Sequence, residues 1–419
     1  MSQDRIKATY LVETAYDLEQ AAQIMAGEQS CGTFLRTPGE SDSLRANHLA
    51  TVDHLQKVAN VAAPSLPGAR SKSNGPIQQA YVTLSWPLAN VGINLSSLVS
   101  TIAGNLFELA PFSGIKLLDF EVPDNYISKY PGPAFGVAGT RRLVDVYNRP
   151  IIGTIIKPSV GLTPQQSAMQ TKQLVTAGLD FIKDDELQAD SPHSPFEARV
   201  SQTMQVLQDY ADATGRKPMY AFNISGDMDD MMGRHDFLIA QGATCLMVNL
   251  NWVGISAVVQ LSRHTAIPIH GHRCGWGMFN RAPVLGMAFS AYQKIWRLAG
   301  VDHIHTNGIR NKFCEDDASV IASIKACQSD FIGQKSPMAV LSSGQWAGQA
   351  ADTFSAIGNT DLMYLCGGGI VAHPAGMTAG VKSIQQAWQA ATDQVPLSTY
   401  SQNHIELRQA MEFFGKLEM

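Results

Sequence analysis

Charge is scarce in this chain. Of its 419 residues, 31 are Lys or Arg and 36 are Asp or Glu, 16% in all, where an ordinary soluble protein carries roughly a quarter. The balance of −5, with a pI near 6.1, leaves no basic footprint for nucleic acid or an anionic bilayer. No run of about 18 apolar residues occurs, so no membrane span is expected. The polar start MSQDRIKATY lacks the basic-then-apolar order of a secretory leader, and a cytoplasmic protein is expected. The six cysteines, Cys31, Cys245, Cys274, Cys314, Cys327 and Cys366, contain no CxxC pair. They signal neither a zinc site nor a disulfide framework and read as reduced thiols. With few charges and 45% hydrophobic residues, most of the chain must be buried in a core or a subunit interface.

From about residue 150 short apolar runs alternate with longer helical patterns, and eight strand candidates follow in order: GTIIKP (153–158), LDFIKDDE (179–186), MYAFNI (219–224), TCLMVNL (244–250), IPIHGH (267–272), DHIHT (302–306), MAVLSS (338–343) and DLMYLCGG (361–368). Between them lie stretches such as TPQQSAMQTKQLVTAG and APVLGMAFSAYQKIWRLAG, opened by Thr or Pro and closed by Gly as helices are. Eight such units predict an α/β fold with a C-terminal (β/α)8 barrel. A doubly wound sheet usually carries five or six units and a Gly-rich first turn, where this chain has IIKPSVGL. Residues 1–140 read as a separate N-terminal α+β domain of ferredoxin-like pattern, and residues 141–419 as the barrel with a terminal helix.

Polar residues gather at the carboxyl ends of the strands, where a barrel keeps its active site. The densest group is Lys183-Asp184-Asp185-Glu186. Strand alternation turns Lys183 and Asp185 the same way, and Glu186 at the strand end can turn into the mouth. Two converging carboxylates suit a hard cation such as Mg²⁺. The lysine would either neutralise them as a salt bridge or, as a neutral amine, add CO₂ to form an oxygen-bearing carbamate. A second group is His270-Gly271-His272-Arg273 with His303-Ile304-His305, read either as satisfied core histidines or as a base beside a phosphate clamp. A third is Ser342-Ser343-Gly344 and Gly367-Gly368-Gly369, after strands seven and eight. Bare backbone N–H groups there often hold a phosphate.

GTIIKPSVGL, GLDFIKDDE, HGHR, DHIHTNG and GGGIVAHP, in this order and spacing, resemble the large subunit of ribulose-1,5-bisphosphate carboxylase (RuBisCO), and more closely the RuBisCO-like proteins. The resemblance implies a homodimer whose N-terminal domains complete the partner's active sites. It implies Mg²⁺ as cofactor, held by Asp185, Glu186 and Lys183 carrying CO₂ as a carbamate. Lys157 matches a proton-shuttling lysine, His272 a metal-proximal histidine, and Lys312 in TNGIRNK the mobile-loop lysine that stabilises a carboxylated intermediate. Arg273 and His305 match residues that hold one substrate phosphate; Ser343, Gly344, Gly367 and Gly368 match the remaining substrate and phosphate contacts. Glu28, Thr33 and Asn105 match positions that reach into the partner's site.

The departures from the carboxylases are specific. Ser159 stands where they have a second lysine, Phe34 where they have tryptophan, Trp276 where they have histidine, and Gln345 where the SGG motif has its last glycine. The metal triad is retained while the pocket is altered, which implies a different substrate. A retained Lys312 favours carboxyl chemistry. The resemblance therefore implies a Mg²⁺-dependent enzyme acting through an enediolate on a phosphorylated keto sugar acid, by decarboxylation (or transcarboxylation and hydrolysis) of 3-oxo-isoapionate 4-phosphate. The alternatives are a 2,3-diketo-5-methylthiopentyl-1-phosphate enolase and a non-catalytic family member.

Overall fold

In the barrel, alternation along short parallel strands decides which side chains meet at the centre. The computed structural model describes residues 4–32, 36–70 and 75–416; Thr33 and Phe34 lie outside them. Two compact units form. One comprises Met1–Pro131, Gly275–Leu298 and Phe331–Gln334, the other Gly132–Cys274, Ala299–Asp330 and Lys335–Met419.

The first unit is built on a five-stranded sheet of β1 (Arg5–Thr14), β2 (Thr51–Val61), β3 (Ile77–Pro87), β4 (Phe112–Glu121) and β10 (Leu285–Met287), in the order β10-β4-β1-β3-β2. β1 pairs antiparallel with β3 and β4, β2 antiparallel with β3, and β10 parallel with β4. Every second residue of β1, Ile6, Ala8, Tyr10 and Val12, is buried, as a half-buried strand requires. Tyr10 Oη donates to the Ile102 carbonyl at 2.7 Å, tying the helix Leu95–Ala103 to the sheet.

Two strands carry little signal in the sequence. β2 (TVDHLQKVANV) has no buried residue; as an edge strand it needs no apolar face and leaves no alternating signal. β10 lies inside the run expected to be wholly helical from Ala282. The helix there spans Phe289–Leu298, after Leu285–Met287 has paired with Ile115–Leu117. Gly286 permits this bend: its φ is +94°, and a Cβ would meet the Phe279 carbonyl oxygen. The segment 275–298, expected within the barrel domain, thus groups with the first unit.

The second unit is the expected barrel. Its strands are β5 (Ile151–Ile155), β6 (Phe181–Lys183), β7 (Met219–Asn223), β8 (Cys245–Asn249), β9 (Ile269–His272), β11 (His303–Asn307), β12 (Met338–Ser342) and β13 (Leu362–Leu365). They close into one parallel ring. Six strands supply an apolar interior that includes Ile151, Phe181, Met219, Met247, Val340 and Met363. β9 and β11 instead send in His270, His303 and His305, all buried; His270 stacks on Phe181 with ring centroids 5.1 Å apart. One face of the core is therefore made of imidazoles, each of which must be hydrogen-bonded to be tolerated.

Candidate active site

At the carboxyl ends of β5 and β6 four charged groups form two ion pairs, Lys157 with Asp185 and Lys183 with Glu186. Lys157 follows β5, and its backbone is clamped by one side chain: its N–H donates to Gln170 Oε1 at 3.1 Å, and Gln170 Nε2 donates to its carbonyl at 2.7 Å. Gln170 is placed by the helix Pro164–Thr176, which starts in a capping box between Thr163 and Gln166 with proline in its first turn. The Lys157 ammonium donates to Asp185 Oδ2 at 2.7 Å and to Ser159 Oγ at 2.8 Å. Ser159, the departure from the carboxylases, thus anchors the neighbouring lysine.

Lys183 ends β6 and is completely buried. Its ammonium donates to the Asp184 carbonyl at 2.8 Å and lies 3.7 Å from Glu186 Oε2. Burial pulls its pKa below the ordinary lysine range, against the opposing pull of Glu186, Asp185 and Asp184; the nearby Lys157 charge lowers it further. Glu186 Oε2 also lies 3.5 Å from His272 Nε2. Asn223 Nδ2 donates to the carbonyls of Asp185 and Glu186, and Asn249 Nδ2 to that of Glu186 at 2.9 Å. Asp184 points away from this group, into a buried ion pair with Arg199 at 3.3 Å and a 2.8 Å hydrogen bond from Tyr220 Oη. Removing one partner of such a pair typically costs about 3–5 kcal/mol, so Asp184 braces the strand end that carries its neighbours.

The donor set accommodates a hard divalent cation only if Lys183 changes chemically. As they stand, Lys157 and Lys183 balance Asp185 and Glu186. Carbamylation would turn one positive charge into one negative charge, and a divalent cation would restore the balance. A neutral amine is the species that reacts with CO₂, and burial favours it. Asn249 Oδ1 is buried without a donor in this wall, an acceptor that a hydrated cation would satisfy. Elsewhere among the described residues, the one His, Cys, Asp or Glu group close enough to share an ion is His235, Asp236 and His264, on the helices Met228–Ala240 and Ile255–His264. There Asp236 Oδ1 lies 2.9 Å from His235 Nδ1 and 3.3 Å from His264 Nε2, so these three atoms already pair with one another.

At the ends of β9, β11 and β12 the polar groups are hydrogen-bonded rather than ion-paired, with one exception. His305 lies 2.7 Å from His270 Nε2 through its own Nε2 and 3.2 Å from Ser342 Oγ through Nδ1. Burial pushes the pKa of His270, His272 and His305 well below the ordinary imidazole range, helped by neighbouring positive charge. Ser343 adopts a left-handed φ of +74°, a conformation that is uncommon outside glycine, and donates to Asn307 Oδ1 at 2.8 Å. Arg273 is buried and bonds Glu315 Oε2 at 3.2 Å, an oxygen that also accepts from Asn307 Nδ2 at 2.6 Å. The cation expected to meet a phosphate is therefore already met by a carboxylate.

The loops between these strand ends are pinned to one another. Lys312 N–H donates to the Ser343 carbonyl at 3.1 Å, which brings the expected mobile-loop lysine beside Ser343 and Gly344. Its side chain is exposed, with Nζ 5.3 Å from the centre of the Phe313 ring. Gln345 is buried and donates to the Ile309 carbonyl at 3.1 Å; a Cβ on Gly308 would meet its side chain at 2.0 Å. Gly367 lies against Lys157, whose Cε would be 3.7 Å from an added Cβ, whereas Gly368 faces open space. Lys157, Lys183, Asp185, Glu186 and His272 thus form one connected group, while Arg273, His305, Ser343 and Lys312 belong to the opposite wall.

In the first unit Glu28 and Asn105 are both exposed, at the end of the helix Leu18–Glu28 and the start of the turn Asn105–Glu108. These ends meet: a Cβ on Gly104 would lie 3.0 Å from Gln29 Nε2. Trp276 is a buried packing residue, 4.5 Å from the Tyr292 ring and 5.7 Å from Phe289. Asn249, Glu315 and the Gln345–Gly308 contact carry no signal in the sequence. Asn249 and Glu315 lie in an ordinary strand end and loop, and only pairing across the barrel reveals them.

Comparison with known proteins agrees with this arrangement. The family model described as ribulose bisphosphate carboxylase large chain, N-terminal domain, matches residues 2–126, and the catalytic-domain model matches residues 136–414. The chain is 48% identical to 3-oxo-isoapionate-4-phosphate transcarboxylase/hydrolase of Xanthobacter autotrophicus, over 98% of this chain and 99% of that protein. It is 41% identical to 3-oxo-isoapionate-4-phosphate decarboxylase of Rhizobium rhizogenes, over 98% of each. The crystal structure of a rubisco-like protein from Burkholderia fungorum superimposes with a TM-score of 0.92 at 43% identity, covering 98% of this chain and all of that one.

Proposed function

The chain belongs to the ribulose bisphosphate carboxylase large-chain family, and on that premise we propose that it is an enzyme removing a carboxyl group from 3-oxo-isoapionate 4-phosphate, by decarboxylation or by transcarboxylation and hydrolysis. The observation that carries this reading is the balanced group of Lys157, Lys183, Asp185 and Glu186 at the barrel mouth. The identities to the two relatives supply the substrate.

In this reading Lys183, as a carbamate, with Asp185 and Glu186 would hold Mg²⁺. When bound, the ion supplies Lewis-acid charge that lowers the cost of negative charge building on the substrate's carbonyl oxygen. Loss of CO₂ from a β-keto acid breaks one C–C bond and leaves its electron pair as an enediolate, which must then gain a proton on carbon. Lys157, held by Asp185 and Ser159, is the group placed to deliver that proton from Nζ. His272 flanks Glu186 as a neutral imidazole. Lys312, tethered at Ser343, is the cation for the leaving carboxylate. Arg273, His305, Ser343, Gly344, Gly367 and Gly368 form the wall assigned to the remaining substrate and its phosphate. A homodimer accounts for the exposed Glu28 and Asn105, which would reach the partner's site.

The experiment is an assay of the purified protein with 3-oxo-isoapionate 4-phosphate, Mg²⁺ and bicarbonate, following CO₂ and glycolate together. CO₂ alone identifies a decarboxylase, glycolate a transcarboxylase/hydrolase, and neither product refutes the proposal. A protein without catalytic function would also show no joint stabilisation by Mg²⁺ and bicarbonate in thermal unfolding.

A further inference from the structure

The imidazoles that line the barrel interior form one unbroken chain, and the proton positions along it follow from its lower end. Thr140 Oγ1 lies 2.6 Å from the Gly136 carbonyl oxygen and 2.9 Å from His303 Nε2. A carbonyl only accepts, so the single hydroxyl proton goes to Gly136 and Thr140 must accept from His303. His303 therefore carries its proton on Nε2 and has a lone pair on Nδ1. That nitrogen lies 3.3 Å from His270 Nδ1, which must be the N–H donor, leaving His270 Nε2 as acceptor. His270 Nε2 is 2.7 Å from His305 Nε2, which must donate in turn. His305 is left with a bare Nδ1, 3.2 Å from Ser342 Oγ, and Ser342 donates to it.

Each step disfavours the other tautomer, because two N–H groups or two lone pairs would then face each other in an interior shielded from solvent. Thr140, His303 and His270 are completely buried and His305 is nearly so. Burial alone pushes the His303 pKa down to about 3, so the rings are neutral and tautomer is the variable left to set.

We infer that Thr140 and His303, at the closed end of the barrel, are positioning residues that fix the tautomer of His305 at the mouth through His270. Both ring nitrogens of His305 are then committed, Nε2–H to His270 and the Nδ1 lone pair to the Ser342 hydroxyl. The ring is neither a cation nor an N–H donor toward an anion. A phosphate bound against neutral His305 gains no charge from it.

The test does not depend on the substrate. Imidazole ¹⁵N–¹H correlation spectra of the ¹⁵N-histidine-labelled full chain, assigned with single His→Gln variants, should show Nε2–H on His303 and His305 and Nδ1–H on His270. Thr140→Val removes the terminal acceptor and should move His305 toward Nδ1–H, shifting the ratio of its tautomers by roughly tenfold or more; Thr140→Ser should restore the wild-type pattern. A different pattern in the wild type overturns the inference, and so does a His305 signal unmoved in Thr140→Val. Should Thr140→Val not fold, the wild-type and Thr140→Ser spectra decide it. In the activity assay, kcat should fall in Thr140→Val and recover in Thr140→Ser. A protein inactive on the proposed substrate but showing the three-ring pattern refutes the function and leaves the relay standing.

Discussion

The charged wall of the barrel mouth and the histidine chain that runs up to the mouth from the closed end keep their polar side chains in opposite states. On the β5–β6 side, Lys157, Lys183, Asp185 and Glu186 are charged and compensate one another over 2.7–3.7 Å. On the β9–β12 side His270, His303 and His305 are uncharged and joined by hydrogen bonds in which each ring's proton is dictated by the next. The charged wall can change its chemistry while conserving net charge, by taking a carbamate and a cation together. The histidine chain has no such freedom; a charge placed on one of its rings would be desolvated without a counter-ion. Reactivity and rigidity are thus assigned to different strands of one barrel.

The largest effect that would sharpen this contrast is expected from Lys183→Met. Turnover should fall by at least roughly 10³-fold, and the joint stabilisation by Mg²⁺ and bicarbonate should vanish in thermal unfolding. A variant that keeps that stabilisation would show that the charged wall does not need Lys183 to hold a cation. Lys157→Met should lower kcat by roughly 10²–10⁴-fold with Mg²⁺ affinity, read by calorimetry, nearly unchanged. A matching loss of Mg²⁺ affinity would make Lys157 a structural counter-ion and not a proton donor.

The buried histidine chain predicts a pH dependence of stability. The His303 pKa falls from 6.5 to about 3 on folding, so above 6.5 neither state gains a proton. As pH drops below 6.5 the unfolded chain binds one, and stability is lost by about 1.4 kcal/mol per pH unit for this group until roughly pH 3. Denaturant unfolding at pH 7 and pH 5 should show His303→Gln losing less stability than wild type by about 2 kcal/mol over that interval. Equal losses would mean that His303 carries a proton in the fold. Smallest of all should be Gly368→Ala, whose new methyl meets open space. Stability should stay within about 0.5 kcal/mol, and a rise in KM without a fall in stability would place the phosphate against this residue.

Much of this was legible beforehand where a pattern repeats. All eight barrel strands lie within a few residues of the apolar runs that announce them. The alternation that puts His303, His305 and Asn307 on one face of β11 is a property of any strand. What stayed hidden lacked periodicity or lay between distant segments. β2 has no buried face to betray it. β10 is three residues long and is a strand only because β4 is beside it. Glu315 neutralises Arg273 from a position 42 residues away, and Gln345 fills the space that Gly308 leaves.

The sequence by itself determined the barrel, the identity of the charged residues at its mouth, and the family, because strand period, residue type and motif order are local and one-dimensional. Only the tertiary structure decided which lysine is sealed from water, which carboxylate faces away, and which nitrogen of each histidine bears its proton. Burial and hydrogen-bond direction are set by neighbours that the fold brings together from separate strands.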